Sequence, residues 1–221
     1  MMLARQVPGA TVCVSPDRYL GGVLAETLGC TVHILDDGFQ HLELARNLDI
    51  LVTTIGEIPN GRVIPFGRLR EPKDAAGRAH FLVVTDGTPG AASAEAWGLG
   101  ISQSCGSLRR LGEPVGIGDQ GVVAVAGIAN PERFVTLLRD GGYKVIDALK
   151  FPDHHRYSQK DLAAIASKMR SSGAAAVVTT DKDAVRFETM APSFPLYRVP
   201  LMVEFEPQAA LWSSVLQAVL G

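Results

Sequence analysis

Cysteine is scarce in this sequence: Cys13, Cys30 and Cys105 are odd in number and show neither a C-x-x-C pair nor Cys/His ligand spacing. That excludes a disulfide framework and a structural zinc module, and fits a reducing cytosol. A charge surplus of one sign is missing too. The formal net charge is −2, with 6 Lys against 15 Arg, so there is no basic excess for non-specific nucleic-acid binding. No apolar run approaches the roughly 20 residues of a membrane span, and the first residues lack the charged-then-apolar pattern of a signal peptide. What remains is a chain of 221 residues that is 47% hydrophobic. That is enough to bury a real core in one large α/β domain or two small lobes.

β-Branched apolar runs separated by single helices predict parallel sheets buried on both faces. Strands are expected at 11–14 (TVCV), 31–35 (TVHIL), 49–53 and 81–85, with a helix from Ser15 as N-cap and Pro16 at its first position to a stop at Gly29. From 88 to 120 the chain turns Gly, Ser, Pro and Ala-rich, and reads as a linker with room for a short hairpin. A second α/β segment, 121–221, opens with a strand at 122–126, then Asn130 as N-cap, Pro131 at the first helical position and a Gly141–Gly142 stop. Strands near 143–149, 175–179 and 196–201 alternate with helices near 158–171 and 207–220. The opening MMLARQV has helix-forming composition without an N-cap, so the expectation is that it continues an element begun upstream.

Three polar clusters interrupt this pattern. In LDDGFQH an apolar strand ends on Asp36, Asp37 and Gly38, the place where open α/β sheets bind ligands and where paired carboxylates hold Mg²⁺. The plain alternative is a solvated Asp-Gly turn. In PFGRLREP, Arg68, Arg70 and Glu71 lie between two prolines beside a glycine, offering guanidinium forks suited to phosphate oxygens or, equally, local ion pairs. In FPDHHRY, Asp153 and His154 can form a catalytic dyad and His155 a structural contact, while an Asp-His-His metal site stays open; Ser158 and Asp161 follow as a capping pair.

LDDGFQHLELARNLDILV, PFGRLREP, VVAVAGIANPERFVTLLRDGG, FPDHHRY and TTDKDAVRF stand in the order and approximate spacing of the tetraacyldisaccharide 4'-kinase family, which the chain resembles from about residue 11 to 200. The resemblance implies a P-loop-NTPase-like parallel sheet with helices on both faces, incomplete here, over 1–87, and a smaller α/β lobe over 121–221. It implies transfer of the ATP γ-phosphoryl group, with Mg²⁺, to the 4'-hydroxyl of the lipid A precursor tetraacyldisaccharide 1-phosphate at the cytoplasmic face of the inner membrane. By the same resemblance Asp36 and Asp37 face Mg²⁺ and nucleotide with Gln40 and Glu71, Arg70 and the Asp153–His154 pair act in catalysis, and Arg18 and His41 face the acceptor.

The family's Walker A loop needs Gly-Lys-Ser/Thr, and no lysine here follows a glycine. The family's GDEP segment, bearing the base, falls by spacing before Met1, and its N-terminal helix is likewise expected upstream. Smaller departures are Thr53 or Thr54 where an acid is usual, Arg68 where proline is usual, and Asp181 in place of glutamate. The alternatives are a non-catalytic nucleotide- or lipid-binding remnant, and a metal-dependent phosphohydrolase built on Asp36, Asp37, Asp153, His154 and His155.

Overall fold

The computed structural model describes residues 3–4, 7–112, 117 and 119–220. It divides into two compact units, Leu3–Arg109 with Val203–Gly221, and Arg110–Met202. The second is therefore inserted within the first. The opening heptapeptide of the chain lies partly outside the described residues.

The first unit contains α1 (Arg18–Thr27), β1 (Ile50–Thr54), a 3-10 turn (Lys73–Arg78), β2 (Phe81–Thr85), α2 (Pro89–Gly98) and β3 (Gln103–Leu111). After the inserted unit it is completed by β8 (Leu201–Glu206) and α6 (Gln208–Leu220). The sheet order is β1-β2-β3-β8, with β1, β2 and β3 mutually parallel in register Ile50 to Phe81 and Phe81 to Gln103. Alternate residues of β2 face opposite layers, as a strand's twofold period requires. Leu82 and Val84 pack on Ala92 and Ala96 of α2, while Phe81 and Val83 pack with Cys105 on Leu211 of α6.

Within the stretch read as a linker, Pro89–Gly98 is a helix and Gln103–Leu111 a strand, and part of the remainder lies outside the described residues. Thr88 caps α2 through the Ala91 amide, with Pro89 in the first turn. In β3 the buried residues are Cys105, Gly106 and Ser107, small because a Cβ at Gly106 would stand 2.1 Å from the Gly87 carbonyl oxygen. A strand built for close backbone approach shows no β-branched signature. The boundary also differs from the expected 121–221 lobe, since its last strand and helix return to the first sheet.

The two strands expected at 11–14 and 31–35 are unpaired coil. Val14 and Ile34 are 95% and 92% exposed. Strand propensity reports a side-chain preference, and a strand forms only where a neighbour takes its backbone groups; β1 is the edge of the sheet in this structure. The helix between them starts one cap later than expected. Asp17, not Ser15, accepts from the Leu20 amide, and Ser15 Oγ instead accepts from the Asp17 amide at 3.2 Å.

The second unit contains β4 (Val122–Ala126), α3 (Pro131–Asp140), β5 (Val145–Lys150), α4 (Gln159–Ser172), β6 (Ala176–Thr180), α5 (Asp181–Glu188) and β7 (Leu196–Val199). All four strands are parallel in the order β5-β4-β6-β7. Val122, Ala124 and Ala126 face α3 through Phe134, Val135 and Leu138. Val123 and Val125 face α4 through Leu162, Ile165 and Ala166. Burying each large apolar side chain contributes about 1.5–3 kcal/mol. Asn130 caps α3 at 3.1 Å, and Ser158 with Asp161 closes the expected capping box on α4. The chain leaves β4 toward β5 and returns across it to β6, so β4 and β6 flank the switch point where α/β sheets open a crevice at their carboxyl ends.

Candidate active site

The first unit carries the DDGF and PFGRLREP clusters, and the second carries FPDHHRY just after β5. In the first unit, Asp36 and Asp37 form an exposed turn, and Asp37 sits in the left-handed region at φ 55°. Aspartate tolerates that conformation better than most residues because its short side chain bonds locally. The charge that answers Asp37 is Arg70, whose Nη2 lies 2.9 Å from Oδ2. Next to Arg70, Glu71 accepts two hydrogen bonds from Arg78, at 2.8 and 3.0 Å. The Arg78 guanidinium lies 4.9 Å over the Phe39 ring. Arg70 therefore reaches DDGF directly and Glu71 reaches it through Arg78, so the clusters, distant in sequence, form one surface.

The arginine loop is shaped by its own backbone. The Ile64 amide bonds the Leu69 carbonyl at 2.9 Å and the Leu69 amide bonds the Arg62 carbonyl at 3.0 Å. Arg68 projects from this closed loop over a depression of about 430 Å³, which Thr54, Glu57, Asn60 and Phe66 also line. Glu57 accepts from the Thr54 hydroxyl at 3.0 Å, which places a carboxylate at the carboxyl end of β1. That carboxylate comes from three residues downstream of Thr54, and a reading of the strand end alone misses it.

The remaining residues of this cluster are less engaged. Gln40 is exposed and His41 half-buried. The His41 carbonyl accepts from Arg46, which also pairs with Asp49. Arg18 opens α1, and its guanidinium bonds the Ser15 carbonyl.

In the second unit His154 is exposed, with φ 58°. One oxygen of Asp153 accepts from the His154 amide at 2.9 Å and from Lys182 Nζ at 2.8 Å. The other stands 3.7 Å from His154 Nε2. Asp153 is therefore held below the ordinary carboxylate range, first by the Lys182 hydrogen bond. His155 behaves as the structural histidine. Its Nε2 lies 3.2 Å from Asp161, its ring stacks on Phe151 at 4.7 Å, and it meets Tyr157 edge-on. Among the described residues no group of three or more His, Cys, Asp or Glu side chains can hold a metal ion.

Beneath this loop Asp183, fully buried, accepts from the Gly127 amide at 2.8 Å, the Thr180 hydroxyl at 3.0 Å and Arg186 at 2.9 Å. The Tyr157 hydroxyl faces the same carboxylate without closing a well-formed bond to it. Burial and then the Asp183 charge push its ionisation far upward. Lys182 and Asp183 both come from TTDKDAVRF. The signal available in the sequence was Thr180 before two acids, the mark of a capped helix start.

The chain matches the model of the family described as tetraacyldisaccharide-1-P 4'-kinase over residues 1–220. It belongs to the tetraacyldisaccharide 4'-kinase family. It is 37% identical over 213 residues to the tetraacyldisaccharide 4'-kinase of Geobacter sulfurreducens, covering 90% of this chain and 59% of that one. It is 38% identical over 198 residues to that of Pelobacter propionicus, covering 84% and 54%. The crystal structure of the "apo" form of LpxK from Aquifex aeolicus in complex with ATP superposes with a TM-score of 0.72 at 26% identity, over 99% of this chain and 67% of that chain. The α/β architecture with parallel sheets is thus that of a solved family member, and the chain spans between half and two thirds of the length of the curated relatives cited.

The Asp37–Arg70 pair changes what a mutation there does. Were the two aspartates left to repel, neutralising one would stabilise the fold. With Arg70 in place, Asp37→Asn loses an exposed ion pair worth about 0.2–1 kcal/mol and keeps a side chain suited to positive φ. Thermal melts are expected to move little for Asp37→Asn and to fall clearly for Asp37→Val, where a β-branched residue at positive φ costs about 1–3 kcal/mol. Equal melts for the two variants would show that residue 37 does not hold this conformation.

Proposed function

We propose that this chain carries the charge-stabilising and hydroxyl-activating parts of an ATP-dependent kinase that phosphorylates the 4'-hydroxyl of tetraacyldisaccharide 1-phosphate. The observation that supports it best is the union of DDGF and PFGRLREP into one surface by the Asp37–Arg70 ion pair. Phosphoryl transfer is catalysed chiefly by positioning and by charge placed around the γ-phosphate, and this surface supplies both signs in a solvent-facing turn.

Asp36 and Asp37 suit Mg²⁺ that takes its other ligands from water and phosphate, the usual habit of that ion, and among the described residues no third acid converts the turn into a closed cage. Bound there, the ion would neutralise charge on the β- and γ-phosphates. Arg70 adds positive charge beside the transferring group. Glu71 holds Arg78 over Phe39 and so fixes the wall of the site, with Gln40 toward the nucleotide and Arg18 and His41 toward the acceptor. The exposed His154, with Asp153, supports the group that takes the hydroxyl proton. No lysine in the chain follows a glycine, so these residues contribute charge around the phosphates and not a Walker A cradle. The acceptor is a lipid, so the proposed place of work is the inner-membrane surface; no helix among the described residues is long and apolar enough to cross a membrane.

The test joins this chain to the part of the Geobacter sulfurreducens relative outside the match, and supplies γ-labelled ATP, Mg²⁺ and tetraacyldisaccharide 1-phosphate in mixed micelles. Label is expected at the 4' position, and Arg70→Ala is expected to lower turnover by about 10²- to 10³-fold, the usual cost of removing one transition-state charge contact. Absence of transfer by the joined, folded protein, or an unaffected Arg70→Ala variant, would overturn the proposal.

A further inference from the structure

We propose that Lys182 is a positioning residue for His154, acting through Asp153. The inference rests on the reading of His154 given above and extends it to a residue of α5 outside the site residues named so far.

The argument begins with one oxygen atom. Asp153 Oδ1 receives both the Lys182 ammonium at 2.8 Å and the His154 amide at 2.9 Å. The His154 backbone lies at φ 58°, a conformation uncommon outside glycine, though His shares with Asn and Asp a raised tolerance of it, and one that local contacts help to hold. Two contacts help to hold it here, and both converge on that oxygen. The second oxygen of Asp153 stands 3.7 Å from the His154 ring, close enough to capture the imidazole if the carboxylate swings. Lys182 prevents the swing. It holds Asp153 ionised and turned toward the backbone, and leaves the ring open to solvent and to a substrate proton.

A tie of this kind works only from a rigid base. Lys182 lies in the first turn of α5, next to Asp183, whose buried carboxylate binds Gly127 at the end of β4, Thr180 at the end of β6 and Arg186 on α5 itself. Both flanks of the histidine loop are held as well: Phe151 stacks on His155, and His155 leans on Asp161, itself part of the α4 capping box. The apex between those flanks, Asp153 and His154, is fixed by Lys182.

Lys182→Met and Lys182→Arg in this chain test the idea by NMR. Lys182→Met is expected to shift the His154 amide and ring Cε1–H signals and to speed exchange of the His154 amide, with the melting temperature little changed because the ion pair is exposed. Lys182→Arg is expected to restore the wild-type signals. In the joined kinase, Lys182→Met is expected to lower kcat about 10- to 100-fold at unchanged KM, the scale of misplacing a catalytic group by about an ångström. His154 signals unmoved by Lys182→Met would overturn the inference, and so would moved signals with kcat intact. If His154→Asn itself leaves kcat unchanged, the catalytic reading fails instead, and the NMR result still decides whether Lys182 positions the loop.

Discussion

His154→Asn in the joined kinase is expected to lower kcat by about 10²- to 10⁴-fold, the reach of acid–base catalysis, while the protein stays folded and ATP affinity holds. The choice of asparagine follows from the backbone. Residue 154 sits at φ 58°, and asparagine is comfortable there whereas alanine is not. The side chain is 76% exposed, so its loss leaves no cavity. A fall in kcat with unchanged KM for ATP would then report chemistry and not folding. His154→Ala serves as the paired variant, expected to match the asparagine variant in kcat while melting lower by the strain of an alanine at positive φ. Full activity in His154→Asn would remove the histidine from the mechanism.

The second large effect is one of stability. Asp183→Ala is expected to cost about 3 kcal/mol, the low end for removing one partner from a buried ion pair, because Arg186 is 26% exposed and regains some water. Its carboxylate is fully buried and gathers the Gly127 amide, the Thr180 hydroxyl and Arg186, and each would be left facing an apolar side chain. The Tyr157 ring, against Phe187 at 4.2 Å, would lose the group its hydroxyl faces. Asp183→Asn keeps acceptors for Gly127 and Thr180 but strands the Arg186 charge, so its loss is expected to fall between wild type and Asp183→Ala. Denaturant unfolding followed by far-ultraviolet circular dichroism measures both. A cost below about 1 kcal/mol for Asp183→Ala would mean that water replaces the carboxylate and that the loop above it is not clamped.

These two residues show what sequence can and cannot reveal here. Strands rich in uninterrupted apolar and β-branched residues, such as Phe81–Thr85 and Val122–Ala126, were legible to the residue. So were caps whose partners lie three residues away, Asn130 and Ser158 with Asp161. Such features are decided by neighbours along the chain. What depends on a distant partner was not legible. TVCV and TVHIL carry the same β-branched signal as the true strands but find no ladder partner among the described residues. The helix at Gln208–Leu220 was read correctly as a helix and placed in the wrong lobe, because Leu211 meets Phe81, Val83 and Cys105 only in space. At the candidate site the motifs were visible, but the Asp37–Arg70 pair and the Lys182–Asp153 tie join residues that no local pattern links. Asp183 was hidden in a motif noticed for its order and not for its chemistry.

The return of β8 and α6 to the first sheet sets an order of events on the ribosome. The second unit, Arg110–Met202, is contiguous, and can close while the residues after it are still in the exit tunnel. The first unit cannot. Until Leu211 emerges, Phe81, Val83 and Cys105 present an apolar face and an unpaired β3 edge, the kind of surface that recruits chaperones or another nascent chain. A domain whose last piece arrives after an entire second domain has folded is exposed to the cell's quality control for the time it takes to translate about a hundred residues, at roughly 5–20 residues per second.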